Sequence, residues 1–260
     1  MNIIVIIPAR MNSTRFPNKP MKKIRGLPMI AHCFYRSCMA VGNKNVYVAT
    51  CDKIIKNYIN SLKGNVILTS NKHKRAVSRT SEALQKIEKK LNKKIDYIIM
   101  VQGDEPLVSP NSIKKMTKLF KNKQIEVVNL MTNFRNNKDF IDKNNVKVVT
   151  DKYNNALYFS REPIPSMWKN KSKNNNFMQT GIISFKRNSL INFEKLYETP
   201  LEKKESVDMN RLLEHNKKIK MCLSDNYTFG VDTPFELKII EKLMNKDVFF
   251  KKYDKLSKTK

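Results

Sequence analysis

Glycine is scarce, 6 in 260 residues, and neither phosphate-binding glycine spacing, G-x-x-x-x-G-K-[ST] nor G-x-G-x-x-G, occurs. A Walker-type NTPase and a standard dinucleotide-binding Rossmann enzyme are thereby excluded. The four cysteines, Cys33, Cys38, Cys51 and Cys222, have no C-x-x-C spacing, and the three histidines, His32, His73 and His215, supply no second half of a metal motif. Neither a zinc site nor a disulfide framework is expected, and reduced buried cysteines suit a cytosolic compartment. The opening apolar run, Ile3 to Ile7, falls far short of the roughly 20 residues that span a bilayer. No charged-then-apolar leader precedes it, so a soluble, cytoplasmic protein without membrane insertion is expected. Low-complexity and collagenous chains are excluded by 6 Gly and 10 Pro, while 40% hydrophobic and 28% charged residues make a folded composition.

Acidic residues are also few, 23 against 51 Lys+Arg, which gives a formal charge of +28. Such an excess is the electrostatic footprint of a nucleic-acid binder. Its distribution argues otherwise: only 10 of the cations are Arg, and the lysines mix with asparagine in most segments, apart from a lysine-free stretch between Lys23 and Lys44. A dedicated nucleic-acid surface concentrates Arg with interleaved aromatics. Scattered lysines read as solvated faces, and no specific nucleic-acid partner is expected.

The β-branched run at 3–7, ended by Pro8, suits a strand buried on both faces. Residues 28–41 place Ile30, Cys33, Phe34, Cys38 and Val41 on one helical face, and 45–50 reads as a second strand. The βαβ pattern repeats with a strand at 65–68, a helix at 78–91 carrying Leu84, Ile87 and Leu91, and a strand at 96–101. A helix at 110–121 and a strand at 126–130 follow. From 146 the rhythm changes to antiparallel pieces at 146–149 and 156–159 and a polar stretch at 169–176, read as an insertion or lid beside the sheet. Alternation resumes with a strand at 180–185, a helix at 206–215, a strand at 219–223 and a helix at 234–244. The expected fold class is α/β, a mainly parallel Rossmann-like sheet flanked by helices, with a smaller antiparallel insertion. One domain is expected over 1–246, with about 146–200 including the insertion, followed by a Lys-rich tail at 247–260 that is expected to fray from Lys251 onward. Trp168 reads as a packing or lid aromatic and His32 as structural.

In open sheets of this kind ligands sit beyond the carboxyl ends of the strands, which directs attention to the loops after 3–7 and 96–101. The first loop, PARMNSTRFPNKP, carries Arg10, Arg15, Lys19, Ser13 and Thr14, an inventory that neutralises and hydrogen-bonds phosphate. The second, QGDEP, sets Asp104 and Glu105 directly after a buried strand, where a carboxylate suits Mg²⁺. A third acidic turn, GVDTP, precedes the last helix. Ser109-Pro110 and Thr233-Pro234-Phe235-Glu236 read as the caps of their helices, which leaves Asp104 and Asp232 free of that task. These pieces make one nucleotide site only if the fold brings them together.

The segments IIPARMNSTRFPNKP, VQGDEP, NVKVV, ALYFSREPIP and GVDTP, in this order and spacing, resemble the cytidylyltransferases that activate 3-deoxy-D-manno-octulosonate (Kdo). The resemblance covers about residues 2 to 244. It implies Mg²⁺-dependent transfer of CMP from CTP to an acidic sugar, with release of pyrophosphate, by a homodimer joined through roughly the inserted region. By similarity, Ala9, Arg10, Ser13, Thr14, Arg15, Lys19, Arg79 and Gln102 bind CTP, with Arg10, Lys19, Asp104 and Asp232 catalytic. Asp104 and Asp232 bind the metal, and Tyr158, Ser160, Arg161, Gln179, Glu205 and Asp208 line the sugar side.

The chain also departs from that family. Where His-x-Ser-Gly-Thr-x-Arg is common, it reads His73-Lys74-Arg75-Ala76-Val77-Ser78-Arg79; a family His is Gln179, and a late Glu-Gln pair is Asp208-Met209. The first change is expected to face the nucleotide and the other two the acceptor, so a modified Kdo, another ulosonic acid or a different anionic acceptor is an alternative substrate. A basic polyanion-binding module on a degenerate transferase fold is the alternative of a different class.

Overall fold

The computed structural model describes residues 2–13, 15–169 and 176–255. In chain order the elements are β1 (Ile3–Pro8), β2 (Lys23–Ile24), β3 (Leu27–Pro28), α1 (Met29–Val41), β4 (Val46–Thr50), α2 (Lys53–Ser61), β5 (Asn65–Leu68) and α3 (Ala76–Leu91). Then come β6 (Tyr97–Val101), α4 (Pro110–Leu119), β7 (Val127–Asn133), α5 (Asn137–Ile141), β8 (Lys147–Thr150) and β9 (Ala156–Ser160). The chain continues with β10 (Phe177–Lys186), α6 (Arg187–Phe193), α7 (Pro200–Glu205), α8 (Asp208–Glu214), β11 (Lys220–Leu223) and α9 (Pro234–Met244).

Among the described residues, the main sheet runs β11-β7-β10-β6-β1-β4-β5. β1 pairs in parallel with β4 and β6, β4 with β5, and β7 with β11, while β10 lies antiparallel between β6 and β7. Side chains alternate across β1 as a strand requires: Ile4 and Ile6 join α3's Leu84 and Ile87 on one face, and Val5 and Ile7 join α1's Ile30, Cys33 and Phe34 on the other. The expected burial of both faces is observed, since Val5, Ile6 and Ile7 are wholly inaccessible. Because the chain leaves β1 toward β4 on one side and reaches β6 on the other, the crevice opens between the carboxyl ends of β1 and β6. Gly103 lets these ends approach: its N–H donates to Pro8 O at 3.2 Å, and a Cβ there would meet Ala9 Cβ at 3.1 Å.

Several expectations need correction. The antiparallel insertion is observed as β8 and β9, but it joins the main sheet and does not lie beside it, because β8 pairs with β10 and β9 with β8. α2, α5, α6 and α7 were not expected; α2 buries only Ile55 and Ile59, one turn apart, too little apolar repeat to stand out among Lys and Asn. Trp168 is 88% exposed and packs no core. Nor is the start of the stretch expected to fray loose: Tyr253 is buried and its N–H donates to Phe250 O at 2.9 Å, while just before it Phe249 and Phe250 are buried and Asp247 pairs with the buried Arg36 at 2.6 Å. Residues 256–260 of that tail and 170–175 of the polar stretch lie outside the described residues.

His32 has the structural place expected of it. Its Nε2 lies 2.9 Å from Ile24 O, and its Nδ1 lies 2.9 Å from the Tyr253 hydroxyl, which also accepts from Arg36 Nε at 3.1 Å. The Ile24 carbonyl needs the proton on Nε2, so Nδ1 accepts from tyrosine. Burial pushes this imidazole down to about 4, with Arg36 adding in the same sense against the Ile24 hydrogen bond and Asp247.

Candidate active site

The three loops singled out in the sequence meet at the crevice. A cleft of about 510 Å³ is lined by Ala9, Arg10, Ser13, Arg15 and Lys19 after β1, by Gln102 and Asp104 after β6, and by Asp232 before α9. Thr14 lies outside the described residues. Lys19 is central: its Nζ donates to Asp104 Oδ2 at 2.6 Å and to Asp232 Oδ1 at 2.8 Å. Burial opposes its charge, but the two carboxylates outweigh burial and hold its pKa above the ordinary lysine value. Lys19 is therefore a permanent cation at neutral pH. Arg15 completes the cluster through Nη2, 2.9 Å from Asp232 Oδ2, and reaches the opposite wall at Asn144 Oδ1, 3.3 Å away.

The carboxylates are free of capping work, as the cap residues imply. Ser109 accepts from the N–H of Ser112 to start α4, and Thr233 and Glu236 form a complete capping box at α9. Asp104 Oδ1 is buried with no hydrogen-bond partner among the described residues. A carboxylate oxygen seldom stays so, and here it belongs to a pair of carboxylates converging on one cation. Mg²⁺ draws on one or two protein carboxylates and takes its other ligands from phosphate and water, so Asp104 and Asp232 fit such an ion.

The next residue, Glu105, was seen in the sequence only as half of an acidic pair. It is 2% exposed, and its Oε1 accepts from Gly181 N–H at 2.6 Å while Oε2 accepts from Thr228 Oγ1 at 3.2 Å. Burial, reinforced by the charge of Asp104, pushes its carboxyl up to about 7. Its hydrogen bonds pin β10 and the irregular segment leading to Asp232 against the end of β6. Register between β10 and β7 shifts between Gln179 and Ile183, and Asn129 fills the irregularity by donating Nδ2 to the carbonyls of Leu130, Thr180 and Ile182. That leaves Asn129 Oδ1 to accept from Gln179 Nε2 at 2.7 Å, which fixes the amide of Gln179 at the cleft wall. A buried Asn inside the apolar strand VVNLM is a signal that sequence reasoning passed over.

On the wall next to β5, Arg79 is 3% exposed and donates Nη1 to Thr69 and Ser70, while its Nη2 is buried with no partner among the described residues. Arg75, Ala76 and Val77 line the cleft beside it. The His73 ring is taken by Glu82. Arg75 crosses to the facing wall and pairs with Asp208 Oδ1 at 2.7 Å, so two positions where the chain departs from the resembled pattern touch each other. Burial raises the Asp208 carboxyl, with the Arg75 charge opposing.

Of the residues expected on the sugar side, Gln179, Asp208 and Arg161 line the cleft, together with the buried Met209. Tyr158, Ser160 and Glu205 are not among its lining; they are tied to each other behind it. Glu205 Oε1 accepts from Tyr158 OH at 2.9 Å and Ser160 Oγ at 2.8 Å, and Oε2 accepts from Arg161 N–H at 2.8 Å. Arg161 in turn commits Nε to the Glu205 carbonyl and Nη1 to the carbonyls of Lys143 and Asn144.

Residues 4–219 match the family model described as cytidylyltransferase. The chain is 38% identical over 252 residues, 94% of its length and 99% of the relative's, to a 3-deoxy-manno-octulosonate cytidylyltransferase of Thermodesulfovibrio yellowstonii. It is 35% identical over 243 residues, covering 93% and 98%, to an 8-amino-3,8-dideoxy-manno-octulosonate cytidylyltransferase of Shewanella halifaxensis. Among solved structures, a CMP:2-keto-3-deoxy-manno-octonic acid synthetase complexed with CTP superposes with a TM-score of 0.84 at 31% identity, over 95% of this chain and 99% of the other. No helix among the described residues is long and apolar enough to cross a membrane.

Proposed function

Since the chain belongs to the cytidylyltransferase family, we propose that it transfers CMP from CTP to Kdo, releasing pyrophosphate, in a Mg²⁺-dependent reaction. The observation that carries this reading is the convergence of Lys19 with Asp104 and Asp232 at the mouth of β1 and β6, between a basic loop and a second polar wall. In-line displacement at phosphorus asks a protein chiefly for positioning and charge neutralisation. Arg10, Arg15 and Lys19, with Ser13 and Thr14, hold the triphosphate, and Ala9, Gln102 and Arg79 line the nucleotide's half of the cleft. Lys19 and Arg10 stabilise the negative charge that grows on the departing pyrophosphate as the anomeric hydroxyl of the sugar attacks the α-phosphorus. Because Lys19 keeps its proton, it acts as a fixed charge. Asp104 and Asp232 would hold Mg²⁺, which when bound polarises the α-phosphate.

Gln179 and Asp208 face the acceptor, while Tyr158, Ser160, Arg161 and Glu205 frame that side. The relatives' two names differ at the sugar's 8-position, and both are matched at similar identity. The amino sugar acid is therefore a second acceptor reading. A homodimer is part of the proposal: the β8–β9 hairpin exposes Tyr153 and Leu157 at 62% and 61%, apolar surface that a second copy would cover.

The test is pyrophosphate release from CTP and Mg²⁺ with Kdo, 8-amino-Kdo and sialic acid, beside UTP and ATP controls. Turnover with CTP and Kdo is expected. Turnover with 8-amino-Kdo alone would move the assignment to the modified sugar. Silence across the panel would overturn the reaction and bring polynucleotide titration forward.

A further inference from the structure

Lys147 is wholly buried in β8, in the run Val146-Lys147-Val148-Val149, and takes no part in the chemistry outlined above. All three N–H bonds of its ammonium are used on main-chain carbonyls: Asp142 O at 2.7 Å, Arg161 O at 2.8 Å and Asn145 O at 2.9 Å. Two of these carbonyls belong to the loop that puts Asn144, Asn145 and Val146 on the cleft, and the third belongs to the end of β9. Arg161 continues the tie, from the carbonyls of Lys143 and Asn144 to that of Glu205, and the Glu205 carboxylate closes it on Tyr158, Ser160 and Arg161. Directly after Glu205, the left-handed Ser206 turns the chain into Val207, Asp208 and Met209, which line the same wall. Three separate loops are thus joined through one lysine, one arginine and one glutamate.

We propose that Lys147 is the positioning residue of the acceptor half-site: by gathering the carbonyls of residues 142, 145 and 161 it fixes the wall formed by residues 144–146 and 206–209. This rests on the reaction proposed above. An ammonium serves three carbonyls at once, whereas a neutral amine has two N–H bonds and a lone pair that repels the third carbonyl. Burial pushes Lys147 down to about 8; Asp142 and Glu162 oppose, Arg161 acts with burial, and Glu205 opposes. The tie therefore loosens in mildly alkaline solution. Around it, Lys143 is held above its ordinary value by Glu162, and Tyr158 is pushed up to about 12 by burial and Glu205.

The experiment compares the full-length wild type with Lys147→Met, measuring KM for Kdo and for CTP in Mg²⁺ at pH 7 and pH 9, and amide hydrogen exchange of the free protein. At pH 7 the variant is expected to raise the Kdo KM at least tenfold and leave the CTP KM within twofold. The wild-type Kdo KM is expected to rise severalfold by pH 9, while that of the variant stays flat. Exchange is expected to quicken at 142–146 and 206–209 and stay unchanged at 9–20 and 102–104. Equal rises in both KM values, or unchanged exchange in the two wall segments, would overturn the proposal. If Lys147→Met does not fold, Lys147→Gln, which keeps one amide donor group, carries the same comparison. A wild type silent on every sugar acid refutes the reaction by itself, and the exchange pattern still decides whether Lys147 fixes the wall.

Discussion

Arg75 and Asp208 meet across the cleft, Nη1 to Oδ1 at 2.7 Å, joining the loop before α3 to the first residue of α8. The Asp208 side chain is 18% exposed and that of Arg75 28%, so the pair is neither fully solvated nor fully dry. Taking Arg75 away strands a carboxylate with little water, whereas removing both charges strands nothing. Arg75→Ala is expected to cost about 2 kcal/mol of stability, and the double variant with Asp208→Asn to recover more than half of it. Urea denaturation of the two single variants and the double variant measures this; additive losses would show that the contact contributes no coupling.

Lys19 shares its charge between Asp104 and Asp232, so deleting one carboxylate leaves it the other. Asp104→Ala and Asp232→Ala are each expected to abolish pyrophosphate release while the melting temperature falls only a few degrees. Retained turnover in either variant would remove that residue from the metal assignment. Circular dichroism on the same samples separates lost chemistry from lost fold.

Gly181 sits against Gln102, and a Cβ added there would lie 2.7 Å from Gln102 Cδ and Oε1. The atoms in the way belong to the far end of a flexible side chain, so the side chain moves and the fold survives. Gly181→Ala is expected to raise the CTP KM about tenfold, a loss of about 1.4 kcal/mol, with little change in melting temperature. An unchanged CTP KM would take Gln102 out of the nucleotide site.

His32 has its pKa lowered from 6.5 to about 4 by burial, so in the native state it takes up a proton less readily than in the unfolded chain. Between those values the unfolded state binds more protons, and stability must fall as pH falls. The full loss is about 3 kcal/mol, complete near pH 4 and absent above pH 7. Urea midpoints from pH 7.5 to 4 read it, and His32→Gln is expected to be less stable at pH 7.5 but to lack this component of the pH dependence.

The scaffold was legible where a local pattern repeats. The β-branched run at β1, the helical faces of α1 and α3, and the caps Ser109 and Thr233 each follow from a few neighbouring residues, and each appears in the structure. Freeing Asp104 and Asp232 from capping was likewise an argument about neighbours. Elements with only one or two buried side chains, such as α2 and α5, carried too little periodicity to be seen. The packing of Tyr253 on His32 and Arg36 was hidden for a different reason: nothing in a lysine-rich tail tells which distant helix its aromatics will meet.

By itself the sequence determined the α/β class, the three charged loops and the resemblance that names their chemistry, because strand and helix periods, caps and motif spacing are properties of adjacent residues. Only the tertiary structure decided what each charge touches. It took Glu205 and much of Arg161 into a tie behind the cleft wall, gave Lys147 its three carbonyls and joined Arg75 to Asp208. The partner of a buried charge is set by which loops the sheet brings together, and the cost of burying it unpaired makes that pairing obligatory once the chain has folded.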